Sequence, residues 1–248
     1  MFLDEIQEVE NWEAAINSLR VNSDVDIYIT GSNAKLLVSE FSTYLGGRYM
    51  TMQVFPLSFM EIIQSKTKIT SEKDEFLKYV ESGGMPLVIN RDFDEASRKQ
   101  YLEDLFTAVI IKDIVKRNKI REVDSLERLI RYVIVNMGKT FSATSISKLF
   151  KSEKRTVSHE TILNYLKFCQ EAYLLYPLER YDVPGKRVLQ VDDKYYIVDH
   201  GLRETIYGNN MRDIELTLEN IVAIECLRRG YSLTVGRIGE REIDFLCE

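Results

Sequence analysis

The sequence predicts an α/β fold, extended by a helical middle and closed by a second, smaller α/β unit, and three observations carry that reading. Met1-Phe2-Leu3-Asp4-Glu5-Ile6-Gln7 is an apolar strand ending in adjacent carboxylates. A helical repeat and a second β-rich run, Asp26-Ile27-Tyr28-Ile29-Thr30 closed by Gly31, come after it, and this strand, helix, strand order builds sheets covered by helices. Apolar alternation then returns around Pro184-Gly185 and again near the C-terminus, as half-buried strands require.

The elements come in order along the chain. Trp12, Ala15, Ile16 and Leu19 recur at helical spacing over residues 12–20. Ser32 or Asn33 can cap a next helix through Leu36, Leu37 and Phe41, and residues 48–55 read as a third strand stopped by Pro56. Residues 58–118 are helical in pattern. A short helix spans 59–63, another ends at the Gly83-Gly84-Met85-Pro86 break, and a long one begins at Phe93 with Tyr101, Leu105, Ala108, Ile111 and Val115 along one face. Three helical segments, 123–137, 142–150 and 158–173, precede strands at 174–181 and 188–191 around the Pro184-Gly185 turn, the pattern of a winged helix. Residues 217–229 form a helix stopped by Gly230, and 231–235 and 242–246 are the closing strands.

Composition narrows the classes. A chain of 248 residues with 45% apolar content can bury a substantial core. A net charge of -6 gives no global nucleic-acid signature, so any basic surface must be local. Cys169, Cys226 and Cys247 are odd in number and widely spaced, which supports neither a disulfide framework nor a zinc site; they read as small core hydrophobes. His159 reads as a residue at a helix start. There is no apolar run of about 18 residues and no basic-then-apolar leader, so a cytoplasmic location and no membrane partner are expected.

Several residues can carry chemistry. In a P-loop ATPase one carboxylate at such a strand end holds magnesium and a neighbouring glutamate orients water toward the γ-phosphate; Asp4 and Glu5 fit those roles, Asp4 as the metal ligand. An ordinary solvated strand end fits them equally. Ser32 and Asn33 suit either phosphate sensing or helix capping. Arg48, behind Gly46-Gly47, suits either a phosphate contact or a surface turn. No Gly-x-x-x-x-Gly-Lys-Ser/Thr loop occurs in the sequence, so the chain reads as beginning in the middle of a nucleotide-binding domain.

The order of motifs resembles a known family. Leu3-Asp4-Glu5-Ile6-Gln7, Trp12, Ile29-Thr30-Gly31-Ser32-Asn33-Ala34, Gly47-Arg48, Pro56-Leu57-Ser58-Phe59 and Gly83-Gly84-Met85-Pro86 are similar to prokaryotic AAA-type P-loop ATPases with a C-terminal domain of unknown function. The likeness continues through Lys112-Asp113-Ile114, the run from Thr161 to Leu166, Tyr195-Tyr196-Ile197-Val198-Asp199, Gly201-Leu202-Arg203, Leu218-Glu219-Asn220 and Glu242-Ile243-Asp244-Phe245. The resemblance implies four regions: a partial ATPase core at 1–62 from the Walker B strand onward, a helical lid or linker at 63–120, a winged helix at 121–192, and a partial restriction-endonuclease-like domain at 193–248. It implies ATP and magnesium as cofactors of the full-length family, with neither expected on this chain for want of the phosphate loop.

The endonuclease-like resemblance implies a second carboxylate site: Glu219 on a helix, Asp244 on a strand as a magnesium ligand, and Glu242 nearby. The lysine that should come after them is missing, because the sequence ends at Glu248. In the winged helix, Lys148, Lys151, Lys154 and Arg155 precede a helix that can present Asn164 and Lys167, which suits phosphate and base-edge contacts to duplex DNA or a protein-docking face. The resulting reading is an ATPase fragment coupled to a nucleic-acid- or protein-binding module. A non-enzymatic winged-helix module and a magnesium-dependent nuclease are the alternatives. Candidate partners are double-stranded DNA, a protein, or a second copy of the chain.

Overall fold

A computed structural model describes residues 1–22, 24–32, 48–182, 187–208, 213–238 and 241–248. At the N-terminus β1 (Phe2–Leu3) pairs in parallel with β2 (Tyr28–Ile29), Phe2 opposite Tyr28 and Leu3 opposite Ile29. Between them runs α1 (Trp12–Asn22), whose Trp12 and Ile16 pack with Ile6 into a small core of their own. This is the expected strand, helix, strand unit. The helix expected after Ser32 falls outside the described residues. Residues 48–55 differ from expectation: Met50, Met52 and Val54 are exposed, and no strand forms there among the described residues. Apolar alternation makes a strand only when a neighbour supplies backbone partners.

The helical middle comprises α2 (Phe59–Ser65), α3 (Glu72–Ser82), α4 (Pro86–Asn90) and α5 (Glu95–Ala108). Caps explain the starts. Ser58 and Glu61 form a reciprocal capping box on α2, Ser71 accepts from Asp74 N, Asp94 accepts from Ser97 N, and Pro86 opens α4. α5 continues without a break into a π-helical segment, Val109–Lys116. The residues fully buried along this continuous helix are Leu102, Phe106, Ile110 and Ile114, a stripe of fourth residues. A uniform α-helix would rotate such a stripe off its face, and the wider π turn keeps Ile110 and Ile114 aligned. The expected Tyr101, Leu105 and Val115 are only partly buried beside it, and Ala108 is exposed.

Three further helices, α6 (Val123–Val135), α7 (Ala143–Ser152) and α8 (His159–Glu171), lead to the strands β3 (Leu175–Asp182) and β4 (Arg187–Ile197). Leu126, Ile130, Val133, Ile146, Ile162, Leu166 and Cys169 join Ile110 and Ile114 in the main core. Then come α9 (His200–Tyr207), α10 (Ile214–Arg228), β5 (Leu233–Ile238) and β6 (Arg241–Cys247). The second sheet has the order β4-β3-β5-β6, antiparallel except for β3 with β5. The expected boundary between residues 192 and 193 falls inside β4. One strand therefore serves both the hairpin after α8 and the sheet that α10 covers.

Two interlocks join distant segments. Buried Asp199 accepts the backbone N–H of Gly84 at 2.7 Å and of Gly201 at 2.8 Å, and Gly84 O accepts from Leu57 N at 2.7 Å. The neighbouring His200 Nε2 donates to Tyr79 O at 2.7 Å. In the second interlock, the Asn220 side chain accepts from Ile197 N at 2.8 Å and donates to Ile197 O at 3.0 Å, holding α10 to β4. The described helices include none long and apolar enough to cross a membrane.

Candidate functional site

The first constellation lies beyond the C-terminal ends of the parallel β1–β2 pair, where open α/β sheets gather ligands. Asp4 and Glu5 come directly after β1, and Thr30 and Ser32 after β2. Thr30 Oγ1 donates to Asp4 Oδ1 and accepts the Glu5 backbone N–H at 3.1 Å, so the two strand ends are tied through side chains. Glu5 sits at φ 47° and ψ 47°, a left-handed conformation uncommon outside glycine. Its carboxylate has Ser32 Oγ at 3.4 Å and Lys112 Nζ at 3.9 Å.

The π-helical segment completes this cluster. Ser32 Oγ donates to Asp113 Oδ1 at 2.8 Å, and Arg117 Nη2 lies 3.5 Å from Ser32 Oγ and 3.6 Å from Asp113. Arg117 Nη1 is buried without a hydrogen-bond partner among the described residues. In the sequence, Lys112-Asp113 stands out only as part of a resemblance, and Arg117 does not stand out at all. The available signal was spacing, since Asp113 and Arg117 share a helix face beside the apolar stripe. Asn33 lies outside the described residues. Arg48 is exposed, and no contact among the described residues joins it to the cluster.

The donor set suits magnesium, which takes one or two carboxylates and fills its other positions with water and phosphate oxygens. Asp4 is exposed at the strand end and suits that role. Lys112 and Arg117 bring the positive charge that a polyphosphate needs.

The second constellation gathers the three carboxylates expected together, around a cation that sequence order conceals. Lys194, from β4, places Nζ 2.7 Å from Glu242 Oε1, 3.0 Å from Glu219 Oε1 and 3.3 Å from Asp244 Oδ1. Tyr196 OH donates to the same Glu219 oxygen at 2.6 Å. Burial and that carboxylate together push the Tyr196 phenol far above its ordinary range. The lysine was expected downstream of Asp244, whereas the sheet order brings one from upstream.

The residues expected to meet nucleic acid are split. Lys151 and Lys154 are exposed at the end of α7, and Asn164 and Lys167 are exposed along α8. Arg155, by contrast, is bonded to Asp124, and Arg128 pairs with Glu153 at 2.8 Å. The basic cluster is therefore partly neutralised by its own neighbours.

Residues 1–63 match the model described as an AAA domain, and they contain the β1–β2 unit with Asp4, Glu5 and Ser32. This is an AAA-type ATPase-like region. Residues 73–213 match the model described as Domain of unknown function (DUF8612), and since that is more than half of the 248 residues, the chain belongs to that family. An uncharacterized protein of Haemophilus influenzae is 38% identical over 248 residues, covering 99% of this chain and 62% of the relative. The uncharacterized protein MJ1544 of Methanocaldococcus jannaschii is 32% identical over 262 residues, covering 99% of this chain and 58% of the relative. The chain thus spans about three fifths of the length of these curated relatives.

Proposed function

We propose that residues 1–63 form the magnesium- and water-positioning half of an ATPase site, and that the helical arm made by α5 and its π-helical continuation couples this site to a C-terminal module that binds nucleic acid or protein. One observation carries the reading: Asp4, Glu5, Thr30 and Ser32 converge at one strand-end position with Lys112, Asp113 and Arg117 from the arm. In this reading Asp4 holds the metal, Glu5 orients water and Ser32 reads the terminal phosphate. Magnesium, when bound, neutralises charge on the β- and γ-phosphate oxygens. The arm's other face, Ile110 and Ile114, is packed in the core with Leu126 and Ile130, so a shift at Ser32 is felt by α6.

The 248-residue chain is expected to hydrolyse ATP only at background, because its sequence contains no phosphate-wrapping lysine loop. A fusion that places a strand and such a loop before Met1 is expected to show magnesium-dependent turnover. Glu5→Gln should lower that turnover by roughly 10²-fold or more, the scale of a lost general base. A fusion that binds ATP yet turns over equally with and without Glu5→Gln would sink the assignment.

The winged-helix and nucleic-acid part rests on three helices followed by a hairpin and on the exposed face of α8 with Lys167 and Asn164. Duplex DNA is expected to shift in a salt-dependent manner, and Lys151→Ala and Lys167→Ala each to reduce the log-log salt slope by about 1. Binding that ignores salt and both substitutions would move the module to a protein partner.

A further inference from the structure

The cluster that the endonuclease-like resemblance assigned to a metal does not fit one. A divalent ion held by Glu219, Glu242 and Asp244 would lie at about 2.0–2.6 Å from each ligating oxygen. That space is taken by the Lys194 ammonium, at 3.0, 2.7 and 3.3 Å from the three carboxylates respectively. Among the described residues no group of three or more His, Cys, Asp or Glu is placed to hold a metal ion. We propose that Lys194 is the resident cation of this cluster, an internal ammonium standing in place of a divalent metal and making the junction indifferent to metal.

Three features support the assignment. The Lys194 side chain is only 3% exposed, so the ammonium is fixed inside rather than resting on the surface. Glu219 Oε1 already accepts from both Lys194 and Tyr196, which uses both lone pairs of that oxygen. Gly138, at φ +72°, walls the site so closely that a Cβ there would lie 3.1 Å from Glu219 Oε1.

The consequence for function is concrete. One ammonium against three carboxylates leaves the cluster net negative, and Asp244, with its side chain 64% exposed, turns that charge toward solvent. A phosphodiester is repelled there. The C-terminal sheet then acts by holding β4, α10 and β6 together, and any nucleic-acid contact belongs to another face.

Manganese is the probe. Electron paramagnetic resonance of free Mn²⁺ is expected to show no difference between the wild-type chain and Asp244→Asn, because no ion enters the cluster. Lys194→Met should acquire a Mn²⁺ site roughly tenfold or more tighter, on the scale of local changes around a metal site, and Lys194→Met with Asp244→Asn should lose it. Should Lys194→Met fail to fold, the wild-type protein still decides the matter through the Lys194 ¹⁵Nζ resonance. That signal is expected to remain sharp when Mn²⁺ is added. Wild-type Mn²⁺ binding that disappears in Asp244→Asn, or bleaching of the Lys194 signal that Asp244→Asn prevents, would overturn the proposal.

Discussion

Gly84→Ala should cost the native fold about 3 kcal/mol or more, the upper range for overpacking a closed site. A Cβ on Gly84 would lie 2.0 Å from Leu57 O and 3.0 Å from Leu57 C, which is backbone and cannot rotate aside as a side chain could. The same residue donates to Asp199 and accepts from Leu57, so moving it to relieve the clash breaks two buried hydrogen bonds. Gly230→Ala is the control: its φ is +84° but nothing lies within 4 Å of the added atom, so only the left-handed backbone penalty of about 1–2 kcal/mol applies. Denaturant unfolding followed by circular dichroism gives both midpoints. Equal midpoint losses in the two variants would remove the packing explanation.

Asp199→Ala should be destabilising by about 3–5 kcal/mol, because it strands buried donors rather than merely deleting a contact. Both carboxylate oxygens are used, Oδ2 by Gly84 N and Oδ1 by Gly201 N. Asn should be nearly as damaging as Ala, since its amide must turn an NH₂ toward one of those N–H groups. Burial raises the Asp199 carboxyl above its ordinary range, against the pull of the His200 imidazole and the Gly84, Gly201 and Leu202 amides. The folded state therefore keeps this proton at pH values where the unfolded chain has lost it, and stability linked to Asp199 falls as pH rises through that window. Asp199→Ala should lack that slope. Because Gly84 and Asp199 share a bond, the double variant should lose less than the sum of the single losses.

How far the sequence reaches depends on whether a feature is local. The helix starts near Ser58, Ser142 and Ser158 were legible because a cap needs only its own next turn, whereas the start after Ser71 was not read from the sequence. The run 48–55 has the residue pattern of a strand but not the structure of one, since pairing is a property of two segments. Asp4, Glu5 and Ser32 could be picked out from adjacent strand ends. The spacing of Asp113 and Arg117 marks a shared helix face, but their meeting with Ser32 could not be read, since they reach it from more than 80 positions away. Lys194 shows the same limit: strand order rather than chain order decides what it meets. The Gly83-Gly84 and Asp199 motifs carried a resemblance in sequence, and the structure gives them a physical reason, because each fills the space and the hydrogen-bond vacancies of the other.

The π-helical turn sets a phase. Each residue of an α-helix advances the azimuth by roughly 100°, so a wider turn acts as a fixed offset between the helix before it and the helix after it. Val109–Lys116 carries that offset. Were it to tighten to α geometry with α5 held in place, Arg117 would swing away from Ser32 and every helix downstream would inherit the rotation. Deleting one residue here would act on the chain as a twist, while deleting one in the loop before α6 would act only as a shortening.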